Sequence, residues 1–141
     1  MGLTVYTGGT FDLLHAGHVK FLRRCAEFGR VVVALNTDDF VEQYKGRRPV
    51  MDFDERAAVL LGLSSVSEVV ENRGGADSRI TIDDVRPDLI VVGSDWARRD
   101  YHAQMSFTQD WLDARGIGLC FIPYTQGIST TDIKTRLLGR K

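Results

Sequence analysis

Cysteine and proline are scarce in this chain, and long apolar runs are missing. Among its 141 residues are two cysteines and three prolines. Cys25 and Cys120 each lie within an apolar segment, so we interpret them as free, buried thiols in a reducing compartment, and a disulfide framework is excluded. No apolar run approaches the ~18 residues of a membrane-spanning helix, and no charged-then-apolar leader is visible. We therefore expect a cytoplasmic protein with no membrane partner.

An excess of charge of either sign is also missing. Lysine and arginine total 18, aspartate and glutamate total 19, and the net charge is −1. Without a basic field, nucleic-acid binding through Arg47 and Arg48 has no support, and any phosphate binding must come from a local site. The 43% hydrophobic and 26% charged content is typical of a soluble globular protein. We expect one domain covering residues 1–141.

Strand-like and helix-like segments alternate along the chain. The predicted strands are residues 3–7, 31–35, 66–70, 88–93 and 117–122. The predicted helices are residues 18–28, a short helix capped by 36–38, then 52–63, 78–85, 106–114 and 129–138. Such alternation indicates a parallel sheet with right-handed crossovers, whose ligands bind at the carboxyl ends of the strands.

The block from Gly8 to His18 carries the most specific chemistry. A β-branched segment leads into a glycine pair, and His15 and His18 follow three residues apart where a helix begins. Two imidazoles beside a helix N-terminus can donate hydrogen bonds to a phosphate that gains charge. A metal pair lacks a third ligand at a ligating spacing, and a nucleophilic histidine lacks an identifiable orienting base. Two ordinary surface histidines are the remaining alternative.

A second cluster lies near the carboxyl end of the chain. Three consecutive hydroxyl residues, Ser129 to Thr131, follow Gly127 and Ile128. One hydroxyl is needed as the helix N-cap, and the others can bind a phosphate together with free backbone N–H groups. On its own this pattern fits a cap and a phosphate site equally well.

Two loops offer further candidates. Lys45 to Arg48 form a basic run that fits a lid over phosphates, although a solvated face is the ordinary alternative. Arg56, on the next helix, could reach the same pocket. Gly93 to Trp96 follow a buried strand, where Trp96 offers a stacking face and Asp95 an acceptor. A structural tryptophan is the alternative there.

Over nearly its whole length the chain resembles the small bacterial glycerol-3-phosphate cytidylyltransferases, within the wider His-x-Gly-His nucleotidyltransferase superfamily. The matching segments are Gly9 to His18, Asn36 to Asp38, Lys45, Arg56, Gly93 to Trp96 and Gly127 to Thr131. The resemblance implies a Rossmann-like α/β domain, and we predict a five-stranded parallel sheet of order 3-2-1-4-5 flanked by helices. It also implies attack by a substrate phosphate on the nucleotide α-phosphate, Mg²⁺ bound mainly through the nucleotide phosphates, and a homodimer.

The resemblance assigns roles to individual residues. The expected catalytic residues are His15, His18 and Lys45. The expected nucleotide- and phosphate-binding residues are Gly9, Thr10, Phe11, Arg56, Gly93, Asp95, Trp96, Gly127, Ile128, Ser129 and Thr130. Thr37 and Asp38 are expected to meet the acceptor, and no protein ligand to a metal is expected.

Three departures from the family pattern keep the substrates open. Tyr124 stands where the family has an arginine that serves the phosphates, with Arg47, Arg48 and Arg98 as candidate replacements. Ser94 stands where an aspartate is common. The loop from Lys45 to Val50 looks more like that of the adenylyltransferases that make ADP-heptose. We predict transfer from CTP to glycerol 3-phosphate or a similar polyol phosphate. The alternatives are transfer from ATP to a sugar phosphate or flavin precursor, and a non-catalytic nucleotide-binding protein.

Overall fold

The computed structural model describes residues 2–93, 100–123 and 130–139. In these ranges strands and helices alternate. The strands are β1 (Leu3–Gly9), β2 (Gly29–Leu35), β3 (Glu68–Glu71), β4 (Leu89–Gly93) and β5 (Gly118–Ile122). The helices are α1 (Ala16–Phe28), α2 (Asp38–Lys45), α3 (Phe53–Leu61), α4 (Arg79–Val85), α5 (Tyr101–Met105), α6 (Gln109–Ala114) and α7 (Thr130–Gly139). None of the helices in these ranges is both long and apolar enough to cross a membrane.

All five strands pair in parallel, in the order β3-β2-β1-β4-β5. The predicted fold class and strand order are therefore confirmed. The chain adds β2 and β3 on one side of β1 and then crosses to add β4 and β5 on the other. Parallel sheets bind ligands outside the carboxyl ends of the strands at such a switch point, which here lies between β1 and β4.

The central position of β2 in the core explains its continuous apolar sequence. Val31 to Leu35 are at most 1% exposed, because helices cover both faces of the sheet. One core cluster includes Phe21, Leu22 and Leu60 from α1 and α3, and the other packs α4 and α6. Both cysteines are free, as expected, but only Cys25 is buried, and Cys120 is half-buried; burial raises the pKa of Cys25 to about 12.

Several predicted element bounds were wrong. The helix predicted over 106–114 begins only at Gln109, and the short helix α5 before it was not predicted; Ser106, with a left-handed backbone (φ 65°), separates the two. Strand β3 begins at Glu68 and not at Val66, whose backbone N–H bonds to the Leu63 carbonyl in a turn. Strand β1 runs on to Gly9, which pairs with Leu35. The extra length of β1 depends on its partner strand elsewhere in the chain, whereas the turns at Val66 and Ser106 are local features that the apolar pattern did not indicate.

Candidate active site

A cleft of about 1120 Å³ opens over the carboxyl ends of the central strands. Its walls come from segments that are far apart in the sequence. Predicted site residues on its walls are Gly9, Thr10, Phe11, His15, His18, Lys45, Gly93 and Thr130. The fold therefore brings the first block, the basic loop and the start of α7 to one place, as the positions of the loops after the strands predict.

His15 and His18 form a reciprocal cap at the start of α1. His15 is the N-cap, and its Nδ1 accepts the Gly17 N–H at 3.1 Å. His18 is the third residue of the helix, and its Nδ1 accepts the His15 N–H at 3.3 Å. The helix thus begins at Ala16, two residues before its predicted start. Because both Nδ1 atoms accept, each neutral ring carries its proton on Nε2.

The two imidazoles are also held neutral. Their rings stack with centroids 3.8 Å apart. Burial, and then the neighbouring His15, lower the pKa of His18 from 6.5 to about 4, against an opposing effect of Asp12. Burial, followed by the charge of Arg136, lowers the pKa of His15. At neutral pH both rings are therefore Nε2–H donors on the wall of the cleft.

The lowered pKa of His18 predicts a pH-dependent stability. Between pH 6.5 and about 4 the unfolded chain binds a proton at this residue that the folded protein does not. Stability is then lost as the pH falls through that window, at up to about 1.4 kcal/mol per pH unit. Urea unfolding at several pH values should show a smaller slope for the His18→Gln variant than for the wild type. Equal slopes would contradict the neutral, buried imidazole.

The turn between β1 and α1 is strained and is held by contacts from outside. Phe11 and Leu13 both have a left-handed backbone, with φ of 51° and 52°. Such residues persist only where their surroundings over-determine them. Between them the Asp12 carboxylate accepts the N–H groups of Val50 and Met51 at 2.8 and 2.9 Å. The clamp ties the histidine turn to the end of the basic loop.

Asp12 also connects this turn to α7. The Thr130 hydroxyl donates to the Asp12 carbonyl at 2.7 Å, and the Lys134 ammonium lies 3.8 Å from the Asp12 carboxylate. Sequence reasoning did not single out Asp12. The signal that could have found Asp12 is the presence of an aspartate inside the glycine-rich block. A solvated turn would leave such a residue exposed, whereas Asp12 is only 5% exposed.

Arg56 lies behind the cleft and is fully buried. Its guanidinium donates to the carbonyls of Thr10, Asn36 and Met51 at 2.8–3.0 Å and to the Asp38 carboxylate at 2.6 Å. These bonds hold the ends of β1 and β2 and the start of α3 together. The geometry supports a positioning role, and the predicted contact between Arg56 and a phosphate stays a prediction.

The two predicted acceptor residues have structural partners here. The Thr37 hydroxyl caps α2 by accepting the Phe40 N–H at 3.1 Å. The Asp38 carboxylate accepts the Phe53 N–H at 3.2 Å as well as pairing with Arg56. The part of the chain that the structure describes does not place either residue on the cleft wall. Acceptor binding by this pair stays a prediction.

Basic side chains border the cleft beside α2. Lys45 is the last residue of α2, and not part of the loop as predicted, and Gly46 ends the helix with a left-handed backbone (φ 80°). Arg47 and Arg48 follow on the cleft wall. Arg48 pairs with Asp39 at 2.9 Å and lies 3.8 Å from Asp38. Glu42 lies 3.7 Å from Arg48 as well, so three carboxylates oppose the Arg48 charge, and phosphate binding by this basic run stays a prediction.

Some predicted site residues lie outside the described residues. These are Asp95, Trp96, Gly127, Ile128 and Ser129, together with the two family departures Ser94 and Tyr124 and the candidate replacement Arg98. Gly93 and Thr130, which border these segments, line the cleft. Binding by the outlying residues stays a prediction.

A parallel sheet with imidazole donors at a helix N-terminus above its switch point defines an α/β protein whose cleft suits a ligand with phosphate groups. Residues 6–136 match the family model described as cytidylyltransferase-like. The chain therefore belongs to the cytidylyltransferase-like family.

Two kinds of relative match nearly the whole chain. The glycerol-3-phosphate cytidylyltransferase of Staphylococcus aureus is 34% identical over 137 residues, which is 96% of each chain. The bifunctional protein HldE of Shewanella sediminis is 39% identical over 139 residues, or 97% of this chain. The chain spans only 28% of that HldE protein's length.

Solved structures agree on the fold. The lipopolysaccharide core biosynthesis protein of Thermoplasma volcanium superposes with a TM-score of 0.71 at 26% identity, covering 89% of this chain and all of that one. Pantothenate synthetase of Thermus thermophilus gives a TM-score of 0.57 at 15% identity, covering 98% of this chain and 66% of that one, and so shares the fold alone.

Proposed function

We propose that this protein transfers the cytidylyl group of CTP to a small polyol phosphate such as glycerol 3-phosphate. The observation that carries the proposal is the pair of neutral Nε2–H donors on His15 and His18 at the start of α1. The similarity to the S. aureus enzyme over 96% of both chains supports this choice of substrates.

The reaction needs charge stabilisation more than proton transfer. A phosphate oxygen of the acceptor, already anionic, attacks the α-phosphorus of CTP. The new P–O bond forms as the bond between the α-phosphorus and the β-phosphate oxygen breaks, and pyrophosphate leaves with that electron pair. His15 and His18 donate to oxygens that gain charge, and Lys45 holds the phosphates. Thr10 supplies a hydroxyl donor to the phosphates, and Thr130, whose hydroxyl already donates to the Asp12 carbonyl, is proposed to bind them through its backbone N–H at the start of α7.

Magnesium is proposed as part of the nucleotide substrate. The described ranges contain no group of three or more His, Cys, Asp or Glu residues that could hold a metal ion. Mg²⁺ keeps most of its ligands as water and phosphate oxygen, so it can enter with the triphosphate. We expect EDTA to abolish turnover and added MgCl₂ to restore it. Full activity in EDTA would contradict this role.

Transfer from ATP to a sugar phosphate is the second candidate. The loop from Lys45 to Val50 resembles that of the ADP-heptose-forming adenylyltransferases, and the chain is 39% identical to an HldE protein. The cleft volume of about 1120 Å³ would also admit a sugar ring beside a nucleotide.

Pyrophosphate release tests both candidates. CTP and ATP, each with MgCl₂, are crossed against glycerol 3-phosphate and a panel of polyol and sugar phosphates. Turnover with CTP and glycerol 3-phosphate supports the first proposal, and turnover with ATP alone supports the second. No release from any pair, with nucleotide binding intact, supports a non-catalytic nucleotide-binding protein and contradicts both.

We also propose a homodimer in the cytoplasm. The resemblance to the small cytidylyltransferases supports a dimer, and the free thiols Cys25 and Cys120 suit a reducing compartment. Light scattering coupled to size-exclusion chromatography measures the mass in solution. A mass near the 15.8 kDa of one chain would contradict the dimer.

A further inference from the structure

A continuous line of polar side chains connects the loop after β3 to the cleft. The Asn72 amide nitrogen lies 2.9 Å from the Asn36 amide oxygen. The Asn36 amide nitrogen lies 3.1 Å from the Thr10 hydroxyl, which lies 2.9 Å from the Tyr44 hydroxyl. Asn36, Thr10 and Tyr44 line the cleft, and Asn72 is 8% exposed at its inner wall.

The direction of every donor at the inner end of this line is determined. The Thr81 hydroxyl accepts the Arg73 N–H at 3.1 Å, so its own proton points to the Asn72 amide oxygen at 3.3 Å. The second N–H of Asn72 donates to the Gly75 carbonyl at 3.0 Å. A carbonyl can only accept, so the Asn72 amide cannot be turned over without losing this bond.

The donor directions are determined in the same way from Asn72 outward to the cleft. Because Asn72 donates to the Asn36 oxygen, the Asn36 NH₂ group must face Thr10 and donate to its hydroxyl. The Thr10 oxygen then accepts the Asn36 N–H, so the Thr10 proton cannot point inward to Asn36. That proton is available on the cleft side, where the Tyr44 hydroxyl lies 2.9 Å away. Phosphate oxygens without protons only accept hydrogen bonds, so a hydroxyl presented in this way suits them.

We infer that Asn72 is a positioning residue that acts through Asn36 to keep the Thr10 hydroxyl a donor toward a substrate phosphate. The inference rests on the proposed function, in which Thr10 meets a phosphate. Asn72 itself does not need to touch substrate, because its oxygen and both N–H groups already have protein partners.

The substitution Asn72→Asp tests the inference by reversing the direction of the hydrogen bonds between residue 72, Asn36 and Thr10. The new carboxylate only accepts, so it attracts the NH₂ group of Asn36 and leaves the Asn36 oxygen facing Thr10. The Thr10 proton then turns inward to that oxygen, and the phosphate loses a donor. We expect kcat/KM, and the affinity for CTP or ATP with magnesium, to fall about 10- to 100-fold, the effect of one hydrogen bond to a charged group.

The Thr10→Val background separates this mechanism from simple charge repulsion or misfolding. Without a hydroxyl there is no donor to reorient, so adding Asn72→Asp should change kcat/KM and nucleotide affinity by less than about twofold. In the Thr10→Ser background the hydroxyl is kept, and the full sensitivity to Asn72→Asp should return. The uncharged variant Asn72→Ala, which frees the Asn36 amide to take either orientation, should show a smaller loss than Asn72→Asp.

Each possible result of these measurements bears on either the inference or the proposed reaction. An equal loss from Asn72→Asp in the wild-type and Thr10→Val backgrounds overturns the inference, because it shows that charge or structure, and not the Thr10 proton, is responsible. Unchanged activity and affinity in Asn72→Asp overturns it as well. A wild type that binds nucleotide but releases no pyrophosphate contradicts the proposed reaction, while the coupling is still measured in nucleotide affinity by calorimetry. A wild type that binds neither nucleotide contradicts both.

Discussion

The variant His18→Gln is expected to fold normally and to lose about 100- to 1000-fold in kcat, or about 2.7–4 kcal/mol of transition-state stabilisation. The His18 Nε2–H is one of two imidazole donors proposed to meet the charge that develops on the reacting phosphates. Glutamine at the third position of a helix can still reach back to the N-cap N–H, as the His18 Nδ1 does at 3.3 Å. The cap is thereby kept and the donor geometry is lost.

Comparison with His18→Ala separates the two roles of this residue. Alanine removes the bond that His18 contributes to the reciprocal cap as well as the donor, so it should lower the free energy of unfolding by about 1 kcal/mol more than glutamine does. Pyrophosphate release measured at saturating nucleotide and acceptor gives kcat, and urea unfolding gives stability. Turnover in His18→Gln within a few-fold of the wild type would refute the catalytic assignment, whatever the stability of the variant.

The variant Arg56→Met is expected to lower the free energy of unfolding by about 3–5 kcal/mol, the cost of removing one partner of a buried ion pair. The loss would leave the Asp38 carboxylate, 17% exposed, without its nearest cation. The carbonyls of Thr10, Asn36 and Met51 would also lose a donor. Urea unfolding of the wild type and the variant measures the effect.

Arg48→Met is the matched control for this prediction. Arg48 lies on the other side of the same carboxylate, 3.8 Å from Asp38, but its side chain is 51% exposed. Exposed ion pairs contribute little to stability because solvent screens them, so this variant should unfold almost as the wild type does. If Arg56→Met were no less stable than Arg48→Met, the hub formed by Arg56 would not be a main source of stability.

Local patterns were sufficient for the architecture. The apolar run Val31 to Leu35 indicates a strand covered on both faces, and the structure confirms it. The sequence from Asp52 to Glu55 is typical of a capping box, and that box begins α3. Both signals act within a few residues of the chain, which is the range that sequence reasoning can assess.

The end of β1 and the partners of the site residues depended on distant contacts. The sequence placed His15 and His18 at a helix start. Which ring nitrogen carries the proton depends on the backbone N–H groups that donate to the two Nδ1 atoms, and only the cap geometry shows these bonds. Arg56 was expected on the cleft because a basic residue near a basic loop suggests phosphate. Its carbonyl partners at Thr10 and Asn36 lie 46 and 20 residues away, and no local pattern identifies them.

The sequence by itself determined the α/β class of this chain, the presence of a histidine turn at the start of its first helix, and its resemblance to the small cytidylyltransferases. Those features follow from the hydrophobic periodicity, the capping residues and one short motif. Only the tertiary structure decided that Asp12 clamps the strained turn, that Arg56 is buried behind it, and that Asn72 reaches Thr10 through Asn36. Each of these is a hydrogen bond between residues brought together by the parallel sheet, whose crossovers place distant loops side by side.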